Sequence, residues 1–96
     1  MDVLVTYDIN TTTREGEVRL ARVAQVCERY GVRVQYSVFE CRLSEASLLK
    51  LQIELEGVIE PALDSLHLYR FPGALRDART LIGRPRQREL GEPWIV

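Results

Sequence analysis

Residues 3–9 alternate apolar and polar side chains. Val3, Val5, Tyr7 and Ile9 point one way and Leu4, Thr6 and Asp8 the other, the two-residue period of a strand with one buried face. Asn10-Thr11-Thr12-Thr13 breaks the pattern. Thr12, with Glu15 three places on, has the form of a capping box and opens a helix. Leu20, Val23, Ala24, Cys27 and Tyr30 then recur at helical spacing, which predicts a helix from Arg14 to about Tyr30. Its other side carries Arg14, Glu15, Arg19, Arg22, Glu28 and Arg29, and Gly31 stands in the position of a left-handed C-cap.

Alternation resumes over residues 32–43, long enough for one bent strand or for two strands joined by a kink. Val34, Tyr36 and Val38 share one face; Arg33, Gln35, Ser37 and Phe39 share the other. Ser44 is placed as an N-cap with Glu45 in the first turn, and Leu48, Leu51, Leu55 and Val58 or Ile59 form the inner stripe of a second helix ending before Pro61. Residues 64–71 make a last strand, with Leu66 and Leu68 opposite His67, Tyr69 and Phe71.

The order strand, helix, two strands, helix, strand predicts an α+β fold, a ferredoxin-like βαββαβ sandwich, over residues 1–71. Both helices then cover one sheet face, and a second copy of the chain is the simplest cover for the other, so a homodimer is expected. Residues 72–96 change character: glycine and proline punctuate a run of arginines, and the segment ends in the apolar Trp94-Ile95-Val96. The expectation is an arginine-rich tail whose terminal strand adds to a sheet edge, its own or a partner's.

Composition narrows the function classes. At 96 residues there is room for one domain. No apolar run is long enough to cross a bilayer, and the first residues lack the basic start of a signal peptide; no membrane association and a cytoplasmic location are expected. Two cysteines, Cys27 and Cys41, make neither a disulfide framework nor a cysteine-only zinc site, and read as reduced apolar residues. The net charge of −1 excludes a bulk polycation, yet twelve of the 13 basic residues are arginine. Arginine's planar fork suits phosphate, although a GC-rich genome gives the same bias.

Asp8 is the carboxylate to single out, because it ends the first strand just before a threonine-rich turn. A carboxylate there suits a hard cation such as Mg²⁺, which takes oxygen ligands and keeps several waters; it also suits a plain turn residue. A two-fold dimer presents Asp8 twice, and a facing pair flanking one ion could polarise a phosphate and activate water. No glycine-rich phosphate loop follows the first strand, and His67 reads as a face residue rather than a base. Among the basic residues, Arg14 and Arg19 on the first helix, Arg33, and Arg84, Arg86 and Arg88 in the tail are the phosphate-contact candidates. Sparse aromatics favour a duplex-backbone reader over base stacking.

Leu4-Val5-Thr6-Tyr7-Asp8-Ile9, Val23 to Gly31, Arg33-Val34-Gln35-Tyr36-Ser37-Val38-Phe39-Glu40-Cys41 and Asp64-Ser65-Leu66 together resemble the small CRISPR-associated Cas2 proteins. Tyr7 to Thr11 with Val26-Cys27-Glu28 is most similar to the branch found with type I-C systems. The resemblance implies a ferredoxin-like homodimer in which the last strand of each chain joins its mate's sheet. It implies that Asp8 matches the family's metal-binding aspartate, and that Tyr7, Arg33, Ser37 and Phe39 lie around the cleft between subunits. It further implies a metal-dependent endonuclease on single-stranded RNA or double-stranded DNA, and a bridge between integrase dimers in spacer acquisition. The alternative is a ferredoxin-like regulatory or toxin-like RNA-cleaving domain with no CRISPR role.

Overall fold

The computed structural model describes residues 1–84. Seven elements follow one another: β1 (Asp2–Asp8), α1 (Arg14–Glu28), β2 (Gly31–Gln35), β3 (Val38–Arg42), α2 (Glu45–Glu56), β4 (Ser65–Phe71) and the single turn α3 (Leu75–Ala78). The strands form one antiparallel sheet in the order β2-β3-β1-β4, the expected α+β, ferredoxin-like arrangement. The alternation read along β1 is the burial pattern: Val3, Val5, Tyr7 and Ile9 are buried beneath α1 and α2, together with Phe39, Cys41, Leu48, Leu51 and Leu55.

Local details differ from expectation in instructive ways. The N-cap of α1 is Thr13, whose side chain accepts the Gly16 N–H, while Thr12 turns back to Asn10. Helix α1 stops at Glu28, and Leu20 lies at 37% exposure while Val26 is buried in the core. Gly31 is not a left-handed cap; it begins β2, and a Cβ there would lie 2.3 Å from the Glu40 carbonyl and 2.5 Å from Cys41 Sγ. Close approach of β2 to β3, rather than backbone freedom, calls for glycine.

Residues 32–43 form a hairpin, not one bent strand. A bulge between Arg33 and Gln35 breaks the alternation, so Gln35 pairs with Val38 while Arg33 pairs with Phe39. Gln35 therefore sits on the face opposite Arg33. Ser44 caps α2 as read, accepting the Ser47 N–H.

The sheet face away from α1 and α2, for which a second copy was the simplest expected cover, is partly covered by the chain itself. Leu75 of α3 is buried, its N–H donates to the buried Asp2 carboxylate at 2.8 Å, and Arg79 lies 3.6 Å from the buried Glu40. Residues 85–96, with Arg86, Arg88 and the predicted terminal strand at Trp94-Ile95-Val96, lie outside the described residues. Both cysteines are free and buried, and burial pushes each thiol up to about 12, which leaves them protonated packing residues. Among the described residues, no helix is long and apolar enough to cross a membrane.

Candidate functional site

The two ends of the sheet carry different chemistry. Asp8 ends β1 as an exposed side chain, facing Ser65 across the ladder with β4. The Tyr36-Ser37 turn joins β2 to β3 at the same end, and the Ser37 carbonyl accepts the Tyr7 N–H at 3.1 Å. Arg14, exposed in the first turn of α1, starts from this end too. The opposite end holds Asp2, Arg42 and Phe71, about 20 Å away at roughly 3.3 Å per strand residue. After β4 the chain leaves the sheet at that end and turns back over it, with Leu75 at Asp2 and Ala78 and Arg79 beside Val34, Gln35 and Val38, and Arg84 is exposed.

Tyr7, Arg33 and Phe39 are brought together, but on the helix side of the sheet, whereas Asp8 belongs to the other register. Tyr7 and Phe39 stack with ring centroids 6.3 Å apart, and the Arg33 guanidinium lies 5.1 Å from the Phe39 centroid. Arg33 also reaches Glu28 at 3.9 Å, while its Nε is buried without a hydrogen-bond partner. The Tyr7 hydroxyl donates to the Tyr36 carbonyl at 3.3 Å, and burial, only partly opposed by Arg33, raises its pKa. Tyr7 is thus a protonated packing residue and a poor base. Phe39 is fully buried, so in this chain it acts through packing and not by touching a substrate.

Arg19 does not lie on a solvated helix face. Its Nε donates to Asp64 Oδ2 at 2.8 Å, and its Nη2 reaches both Asp64 Oδ1 and the Asn10 carbonyl at 3.3 Å. Asp64, whose side chain is fully buried, also accepts the backbone N–H of Asn10 at 3.0 Å and of Glu60 at 2.8 Å. By its spacing Asp64 stands only as the start of the last strand and as part of the family motif; β4 itself begins at Ser65. Its partners lie as far as 54 residues away along the chain, beyond the reach of any local pattern.

The hydrogen bond from Arg19, with the two backbone donors, holds the Asp64 carboxyl at about 2, below its ordinary 3.8. A carboxyl with a depressed native pKa contributes its stability in full above about pH 4, and that contribution is lost as pH falls through about 2. Wild type and Asp64→Asn should therefore differ most in urea midpoint at pH 6–7 and converge towards pH 2. A gap that stays constant across that range would contradict the assignment.

Among the described residues no cluster of three His, Cys, Asp or Glu side chains exists, which leaves no protein-built cage for zinc. Mg²⁺ is different, since it is held by one or two carboxylates and keeps several waters. The exposed Asp8 carboxylate fits that donor set, singly or doubled by a two-fold axis.

Topology and site define a small ferredoxin-like α+β protein with one exposed acid at the tip of its buried first strand. The chain belongs to the CRISPR-associated protein Cas2 family, whose family model matches residues 1–77. It is 52% identical over 69 residues, 72% of each chain, to the CRISPR-associated endoribonuclease Cas2 of Chlorobaculum tepidum. It is 40% identical over 95 residues, 99% of each chain, to the CRISPR-associated endonuclease Cas2 of Halalkalibacterium halodurans. The crystal structure of Streptococcus pyogenes Cas2 superposes with a TM-score of 0.78 at 40% identity, covering 86% of this chain and 100% of that one.

Proposed function

We propose that this chain is a cytoplasmic CRISPR adaptation protein of the type I-C kind that binds nucleic acid as a homodimer and bridges integrase dimers during spacer acquisition. A slow Mg²⁺-dependent endonuclease activity on RNA or duplex DNA accompanies that role, with Asp8 as its carboxylate. One observation carries the nuclease reading: Asp8 is an exposed acid on a rigid strand end, in a chain whose relatives are named endoribonuclease and endonuclease. The family match sets aside the non-CRISPR regulatory or toxin-like alternative.

Mg²⁺, when bound, would polarise a phosphate oxygen and make its bound water more acidic. Asp8 would hold the ion, with water filling most of its coordination. Arg14, Arg33 and the tail arginines Arg84, Arg86 and Arg88 are proposed as backbone contacts; Arg19 is committed to Asp64. The homodimer is supported by the sheet face away from the helices, where Tyr69 remains 49% exposed and Leu4, Thr6, Val34 and Val38 line a 370 Å³ pocket beside α3.

The deciding measurement is cleavage of labelled RNA and duplex DNA, with Mg²⁺ or EDTA, by wild type and Asp8→Asn. Wild type should cleave only with the metal, and Asp8→Asn should lose at least about 100-fold in rate. Duplex binding without metal should persist in the variant and weaken steeply with salt. Equal cleavage by the variant would remove Asp8 from the chemistry, and a monomer by light scattering would remove the paired site.

A further inference from the structure

We propose that Asp64 and Arg19 form a positioning pair that sets the direction of the Asp8 carboxylate by clamping the chain where β1 leaves the sheet. The proposal rests on the reading of Asp8 as the active acid. Asp8 is bracketed on both sides by one buried carboxylate. Two residues downstream, the Asn10 N–H donates to Asp64 at 3.0 Å and the Asn10 carbonyl accepts from Arg19 Nη2 at 3.3 Å. Across the ladder, Ser65 pairs with Asp8 and directly follows Asp64 in the chain.

Further polar groups of that turn are tied as well. Asn10 Oδ1 accepts from the Thr12 N–H at 3.0 Å and the Thr12 hydroxyl at 2.6 Å. The Asn10 carbonyl is also pressed against Gly16, where a Cβ would come within 1.9 Å of it. A strand-to-helix loop is ordinarily a mobile surface segment whose donors are met by water. Here it is met by a charge pair, with the Arg19 side chain 16% exposed and that of Asp64 fully buried.

Buried charge pairs are weak stabilisers, because desolvation offsets much of the attraction; where they hold one geometry, their value lies in fixing it. An acid that must meet both an ion and a phosphate needs its backbone held to within a fraction of an ångström, and a misplacement of about 1 Å costs on the order of 100-fold in rate. Thr13 capping α1, and the Asp64 bond to Glu60 behind α2, tie the same turn to both helices. The clamp thus joins β1, α1 and the segment entering β4 at one point beside Asp8.

Asp64→Asn keeps the shape and removes the charge; Arg19→Lys keeps the charge and removes the fork. Both should be assayed well below their own melting temperatures, with folding checked by circular dichroism. The expected result is a fall in kcat of about 10–100-fold with KM within about twofold. Asp64→Asn added to Asp8→Asn should cause no further loss, since both act through one group. Glu45→Gln, which breaks the exposed Arg70–Glu45 pair, should leave kcat unchanged.

Amide hydrogen exchange provides a readout that needs no activity. Exchange at residues 9–12 should quicken about tenfold in Asp64→Asn while residues 3–7 keep their protection. Unchanged kcat in a folded, active Asp64→Asn overturns the proposal, as does exchange that quickens uniformly or not at all. Local quickening in Asp64→Asn, together with a wild type that shows no Asp8-dependent cleavage, would sink the nuclease reading while leaving the clamp in place.

Discussion

Replacing Gly16 with alanine should lower the melting temperature by roughly 10–20 °C, a loss of about 2–3 kcal/mol. The usual expectation is the reverse, since alanine in a helix is favoured over glycine by up to about 1 kcal/mol. The sign changes because of what a Cβ meets. It would lie 1.9 Å from the Asn10 carbonyl oxygen, 3.0 Å from its carbon and 3.1 Å from the Thr11 Cα, all backbone atoms that no rotamer change can move. The same Asn10 is clamped by Asp64 and Arg19, so the first turn of α1 and the β1 exit must separate together. Gly57→Ala is the matched control. Its nearest neighbours are carbonyls at 3.5 and 3.6 Å, and φ is −76°, so alanine there should be neutral or stabilising by a few tenths of a kcal/mol. Thermal melts of the two variants beside wild type decide the matter. Similar shifts in both would show that helix propensity, and not the Asn10 contact, governs residue 16.

Gly16 also marks where the sequence stopped being legible. Period-two and helical spacing placed the first and last strands and both long helices, because those signals are local and one face of each element is buried, while the bulge between Arg33 and Gln35 left residues 32–43 open between one bent strand and two. The Ser44 cap was legible for the same reason, its bond spanning only three residues. What remained hidden is non-local. Leu75-Arg76-Asp77-Ala78 is too short to show a period and is held by Asp2, 73 residues away in sequence. Gly31 was misread because its constraint is Glu40 and Cys41 across a strand pair, invisible to a rule about helix ends. Asp8 was legible as a strand-end acid; Arg19 was read as a surface charge because its acid partner lies 45 residues on. Spacing alone placed Tyr7, Arg33 and Phe39 in strands, while their mutual contact followed only from the hairpin register and its bulge.

Phe39→Ala should cost about 3–5 kcal/mol, enough to leave a domain of this size marginal at 37 °C. The ring is fully buried at the centre of the sheet, where β3 pairs with both β1 and β2, opposite Val5 and Arg33. Its removal opens a cavity and takes away the stacking partner of Tyr7 and the aromatic face beneath Arg33. An Arg33 guanidinium whose Nε already lacks a partner would then border an apolar void. Phe39→Leu separates packing from chemistry. Leucine restores most of the volume, so it should cost no more than about 1.5 kcal/mol and keep any Asp8-dependent cleavage near the wild-type rate. Urea titrations would place the midpoints in the order wild type, Leu, Ala, and cleavage assays under folding conditions would show activity tracking the folded fraction. A folded Phe39→Leu that binds and melts like wild type yet cleaves 100-fold more slowly would instead demand that the ring itself meet the substrate, which its burial in this chain does not permit without rearrangement.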